Sequence, residues 1–179
     1  MAAQAGVKSK GEESPSTGRY KQIDLGGKWR SSSRAGRANM VLFVLSAVVF
    51  LLTDMGNKLT DPWIQDLSIN EYANPDGAYT WKPRVGLSNV SSGEVWRLFT
   101  PVFIHFGGWH FLFNMLWLFW LGGMIENRKG ALFFVFFVLL TGIASNLGQY
   151  FEGGPMFGGM SGVVYALFGY AWIKGRFDP

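Results

Sequence analysis

Apolar residues run through this chain in four long blocks, each closed by charge or glycine instead of alternating with polar positions. The first, about 38–55 (ANMVLFVLSAVVFLLTDM), is long enough for roughly 27 Å of helix at about 1.5 Å per residue. The second, about 107–125 (GGWHFLFNMLWLFWLGGMI), closes on Glu126-Asn127-Arg128-Lys129. The third covers about 130–150 (GALFFVFFVLLTGIASNLGQY), and the fourth, about 160–173, ends at Lys174-Gly175-Arg176. Uncharged blocks of this length predict helices through lipid, so the expected fold class is an all-α membrane protein, a helical bundle with four transmembrane helices.

Between the first two blocks lies a polar connection, 56–106, holding Pro62, Pro75, Pro83 and Pro101 and the scattered Trp63, Trp81 and Trp96. A connection this long without a period is functional or disordered, and its tryptophans favour a folded loop resting on the bilayer surface. Ahead of the first block, residues 1–37 carry eight Lys and Arg against three acidic residues. This Ser/Gly-rich lead reads as a disordered cytoplasmic tail that sets topology and touches anionic lipid. It is too long for a signal-peptide head, and no small-residue cleavage site follows the block.

Charge fixes the orientation. Lys plus Arg number eight in the lead, four in the long loop, two between the second and third blocks, none between the third and fourth, and two at the end. With the lead inside, twelve fall on the inner face and four on the outer, as the positive-inside rule expects, so loop 56–106 and link 151–159 face outward. The net charge of +4 sits in the lead, which excludes a nucleic-acid groove as its simplest meaning. Aromatics at 17 % and eight Trp suit a membrane interface. The absence of Cys removes disulfides, thiolate metal sites and a cysteine nucleophile.

The chemistry gathers at Pro155-Met156-Phe157-Gly158-Gly159-Met160-Ser161-Gly162. A lone hydroxyl follows a glycine run at the head of an apolar helix, and a polar atom in lipid is a functional candidate by default. Ser161 precedes Lys174 by thirteen residues, roughly 20 Å of helix, and Asn114 precedes Glu126 by twelve, roughly 18 Å. Ser161 and Asn114 therefore share a level. His110 lies one turn above Asn114 on the same face. Free N–H groups and the positive dipole end at a helix start suit a developing oxyanion, with His110 and Asn114 as further donors. Gly158, Gly159 and Gly162 allow close backbone approach at Ser161, and Tyr165, one turn below, is placed to pack on a catalytic histidine. A cavity opening outward from Ser161 is expected, since water has to reach it.

At these residues the chain resembles the rhomboid family of intramembrane serine proteases. The likeness covers about 92–179 and rests on an ordered set. That set is Trp96-Arg97, His105, His110-x-x-x-Asn114, Gly122-Gly123-x-x-Glu126, Gly159-x-Ser161-Gly162, Tyr165 to Tyr170 and Asp178-Pro179. The resemblance implies a serine endopeptidase that needs no cofactor or metal and cuts transmembrane protein substrates near the outer face of a bacterial inner membrane. It implies Ser161 as nucleophile, its own N–H with His110 and Asn114 as the oxyanion hole, Arg97 anchoring the first loop in the bilayer interface, and Glu126 with Arg128 tying inner helix ends together. The family's general base is a histidine on a sixth helix, which matches neither His105 nor His110. Residues 38–179 are therefore expected to be a partial rhomboid-like domain, four helices of six, inactive alone.

Other readings compete. Ser161, Gly162 and Gly169 also suit plain helix packing, and Asn114 an interhelical hydrogen bond. A metal site at His105 and His110 is not expected, because a separation of five positions turns the rings to different helix faces. A non-catalytic rhomboid-like pseudoprotease that binds transmembrane helices is the main alternative. A transporter with a broken helix at Gly158-Gly159 calls for an internal repeat, and the sequence contains none.

Overall fold

A computed structural model describes residues 36–57, 61–70, 86–154 and 156–177. Most of the basic lead, Pro75, Trp81 and Pro83 of the long connection, Pro155, and Asp178-Pro179 lie outside the described residues. Helix α1 is Arg37–Leu52, α2 Pro62–Leu67, α3 Ser88–Ser91, α4 Gly108–Trp117, α5 Gly123–Lys129, α6 Ala131–Gly153 and α7 Ser161–Phe177. A π-helical segment, Leu118–Gly122, joins α4 to α5, so the second apolar block is one interrupted helix. Among the described residues there is no strand.

Of these helices α6, at 23 residues, is by itself long and apolar enough to cross a membrane, and α1 is a shorter apolar helix of 16. Beside an apolar core the bundle buries several polar side chains, and it exposes large apolar ones on its outside. Asn39, Ser46, Asn114, Glu126 and Asn146 are buried, while Leu132, Trp109, Phe136 and Trp172 are exposed on α6, α4 and α7. In water that arrangement would forfeit the burial of large apolar side chains; in lipid, polar groups must find partners within the bundle.

The core lies where α7 meets α6 and the π-segment. Met115, Leu118, Phe134, Val138, Val163 and Leu167 fill it, capped by Val102 and Phe103 from the connection. Small residues let the backbones close up. Gly162 lies directly against the Ser145 side chain of α6, and a Cβ at Gly142 would come 2.8 Å from the ring of Phe99.

The end of the bundle where α1 begins is tied by a carboxylate. Glu126, near the end of α5, accepts the Ala38 N–H at 3.0 Å and the Asn39 N–H at 2.8 Å. No side chain of the local sequence caps α1, so Glu126 supplies the acceptor and places negative charge at the positive dipole end. The amide of Asn39 in turn donates to the Phe119 carbonyl of the π-segment at 3.2 Å.

The connection is folded where described. Asp61 caps α2 through the Trp63 N–H, and Ile64, Ile69, Val102 and Ile104 are wholly buried. Two 3₁₀ turns, Val95–Leu98 and Thr100–Phe103, carry it back toward α4, and Asn146 of α6 holds them through the Leu98 carbonyl at 2.8 Å.

Candidate functional site

Ser161 is the first residue of α7 and is half-buried. Bonding in α7 begins with the Val164 N–H on the Met160 carbonyl at 2.9 Å. The N–H groups of Ser161, Gly162 and Val163 thus lie in the turn that a helix leaves without internal partners, beside the hydroxyl. The approach to this turn is fixed from the connection: the Gly159 N–H donates to the Pro101 carbonyl at 3.0 Å, and Gly158 lies against Ile104.

Gly159 brings the two helices together at one level. It holds φ +113°, a conformation that favours glycine, and a Cβ there would lie 2.5 Å from Cε1 and 2.6 Å from Nε2 of His110, and 3.7 Å from Nδ2 of Asn114. The imidazole and the amide therefore stand against the backbone two residues before Ser161, as the depth estimate expects. Nδ2 of Asn114 donates to the His110 carbonyl of its own helix at 3.0 Å, which fixes the amide's orientation and leaves its second N–H for another acceptor.

His105 departs from expectation. The metal argument held that His105 and His110 face apart on a helix, but α4 begins at Gly108, behind Gly107 at φ +92°, so His105 is not on it. The chain turns there and brings the two rings to 5.2 Å between centroids. His105 is wholly buried, edge-on to Phe111, with Nδ1 3.0 Å from the Phe103 carbonyl and Nε2 without a partner. Burial, only partly offset by that carbonyl, pulls its pKa from 6.5 down to about 4, and the neighbouring His110 lowers it further. The backbone here is pinned from the 3₁₀ turn Asp54–Gly56 that follows α1: the Gly107 N–H donates to the Met55 carbonyl at 3.0 Å, and Gly56 lies against the His105 carbonyl.

Arg97 works from within the connection: its guanidinium is buried and donates from Nη1 to the Gln65 carbonyl at 2.5 Å and the Ser68 carbonyl at 2.9 Å while pairing with Glu94. These carbonyls at the end of α2 have no further helix to bond, and a planar five-donor cation serves them together. Tyr165 stands one turn below Ser161 and is exposed, so the expected packing on a catalytic histidine has no counterpart among the described residues. Sequence reasoning missed Asn39 and Asn146, whose only signal was an amide within an apolar block.

Residues 92–179 match the family model for the rhomboid domain. The chain belongs to the rhomboid family. It is 35 % identical over 147 residues to rhomboid protease GlpG of Salmonella paratyphi A, a match covering 82 % of this chain and 46 % of that protein. GlpG of Salmonella choleraesuis is 48 % identical over 147 residues with the same coverage, and GlpG of Salmonella newport is 48 % identical over 86 residues, 48 % of this chain and 31 % of that one. The chain thus spans about half the length, or less, of these curated relatives. As a rhomboid it is an integral membrane protein, which accounts for the large apolar side chains exposed on α4, α6 and α7.

Proposed function

We propose that the chain carries the nucleophile and oxyanion half of an intramembrane serine endopeptidase acting on transmembrane proteins. The observation that carries this reading is the contact of Gly159 with His110 and Asn114, two residues from Ser161 at the open turn of α7. Ser161 Oγ, its proton passing to the general base that the resemblance places on a further helix, attacks the scissile carbonyl carbon, and the charge that the opening C=O bond leaves on oxygen is met by the Ser161 N–H, His110 Nε2–H and the Asn114 amide. Gly159 keeps a side chain out of the space beside His110, Gly162 lets α7 close on Ser145 of α6, and Tyr165 stands one turn below Ser161. The general base is assigned to neither histidine, since His105 is buried with Nδ1 on the Phe103 carbonyl and His110 serves the oxyanion.

The blocks containing α1, α4 to α5, α6 and α7 are taken as four membrane spans, with 1–37 as a cytoplasmic tail, 38–179 as the rhomboid-like unit and the bacterial inner membrane as its location. The Lys and Arg count supports that orientation, and a match to Salmonella proteins supports the compartment. Ser161 then opens outward. Substrates are transmembrane helices unwound near their outer ends; no cofactor and no nucleic acid take part.

The test joins residues 1–179 to the part of Salmonella paratyphi A GlpG beyond the matched region. The chimaera is treated in detergent with a fluorescent fluorophosphonate and supplied with a single-span substrate. Labelling and cleavage that vanish in Ser161→Ala are expected. Labelling that persists in Ser161→Ala removes the assignment, and a folded chimaera that binds the substrate helix without labelling or cutting favours the pseudoprotease reading.

A further inference from the structure

His105 is the one buried histidine of the chain, and its hydrogen-bonding leaves a definite remainder. A carbonyl oxygen only accepts, so the 3.0 Å contact with the Phe103 carbonyl places the His105 proton on Nδ1. Nε2 is then a bare acceptor, wholly buried and without a protein partner. Buried acceptors of this kind are satisfied by a donor, and the nearest polar ring is His110, its centroid 5.2 Å away. His110 in turn has Nε2 at Gly159, which leaves Nδ1 to be satisfied elsewhere.

We propose that one buried water donates to both rings, to Nε2 of His105 and Nδ1 of His110, and that His105 thereby fixes which nitrogen of His110 carries the proton. A water with both hydrogens spent on two acceptors holds Nδ1 of His110 proton-free. A neutral His110 is then obliged to bear its proton on Nε2, the nitrogen beside Gly159, where it acts as a donor toward Ser161. Were His110 protonated on Nδ1 instead, Nε2 would present a lone pair to the developing oxyanion and repel it. His105 is thus a positioning residue acting two contacts away from the nucleophile. Its own placement is firm: Gly56 lies against its carbonyl, the Gly107 N–H is held by Met55, and Phe111 meets its ring edge-on.

The inference rests on the reading of His110 as an oxyanion donor, yet its test needs no activity. With only two histidines, the chain labelled with ¹⁵N-histidine in bicelles at neutral pH gives an assignable spectrum. The expected result is two neutral rings, His105 protonated on Nδ1 and His110 on Nε2, with cross-relaxation from a single slow water to the ring protons of both. In His105→Phe, which keeps a ring against Phe111, His110 is expected to relax to a mixture of tautomers. A wild-type His110 protonated on Nδ1 overturns the proposal, as does an unchanged His110 in His105→Phe. Should that variant fail to fold, absence of the water signal in wild type overturns it equally. Fluorophosphonate labelling of Ser161 in the chimaera reports separately on the catalytic reading.

Discussion

The backbone of Gly159 rests on the imidazole of His110, so close that a methyl group there would meet Cε1 at 2.5 Å. Gly159→Ala therefore has two effects: a side chain forced to φ +113°, costing about 1–3 kcal/mol, and displacement of the ring it strikes. Unfolding of the variant in mixed micelles is expected to shift by about that amount. In the chimaera, fluorophosphonate labelling of Ser161 is expected to fall at least tenfold. Wild-type labelling by a folded Gly159→Ala chimaera would detach His110 from the reaction.

Removing the carboxylate that caps the start of α1 gives a second prediction. Glu126→Ala deprives the Ala38 and Asn39 N–H groups of their acceptor, and loss of a cap costs about 0.5–2 kcal/mol. Glu126→Gln keeps an oxygen but not the charge facing the helix dipole, so it is expected to lose less. Hydrogen exchange should show faster opening of the first turn of α1 in Glu126→Ala while α6 is unaffected. Equal protection in both variants and wild type would mean that α1 is held by packing alone.

Arg97 organises the connection through two carbonyls at the end of α2 and the Glu94 carboxylate. Arg97→Lys brings one ammonium to a site where Gln65, Ser68 and Glu94 are held from different directions, so it should recover little of what Arg97→Ala loses. Two unsatisfied carbonyls correspond to about 1–3 kcal/mol in Arg97→Ala. Limited proteolysis is the measurement: cleavage near α2 is expected to speed up in both variants, with α6 remaining resistant.

Acid should weaken the fold through His105. Its folded pKa, about 4, lies below the ordinary 6.5, so an unfolded chain takes up a proton that the folded one refuses. The resulting stability is fully present above pH 6.5 and is lost as pH falls toward 4, amounting to about 3 kcal/mol at roughly 1.4 kcal/mol per unit. His105→Phe is expected to flatten the dependence over that window, read as the midpoint of unfolding against pH. A slope identical to wild type would place the titrating group elsewhere.

The helices were legible because lipid-facing helices must be apolar all round. The blocks at 38–55, 107–125, 130–150 and 160–173 correspond to α1, α4 to α5, α6 and α7, each within a few residues. Helix rise alone puts Ser161, His110 and Asn114 at one level in the sequence, and in the structure it is Gly159 that lies against His110. What sequence could not deliver depends on chain reversals. The meeting of His105 with His110 arises from the turn at Gly107, and a count of five positions describes a helix that has not yet begun. The inward turn of Arg97 was hidden likewise, since its partners Gln65 and Ser68 lie about thirty positions away in a segment without periodicity.

The π-segment at Leu118–Gly122 works as a one-tooth gear between the two ends of its helix. A π-turn holds one residue more than an α-turn, and each residue of helix is worth about 100° of rotation. Straightening the segment to plain α at unchanged length would swing Glu126 about 100° from the start of α1 while His110 and Asn114 kept their heading, whereas deleting a single residue there removes the extra one and keeps the phase. A one-residue insertion at 118–122 should therefore uncouple the Glu126 clasp from His110 and Asn114, leaving two halves of one helix each correct and wrongly phased, while a one-residue deletion should leave them in phase.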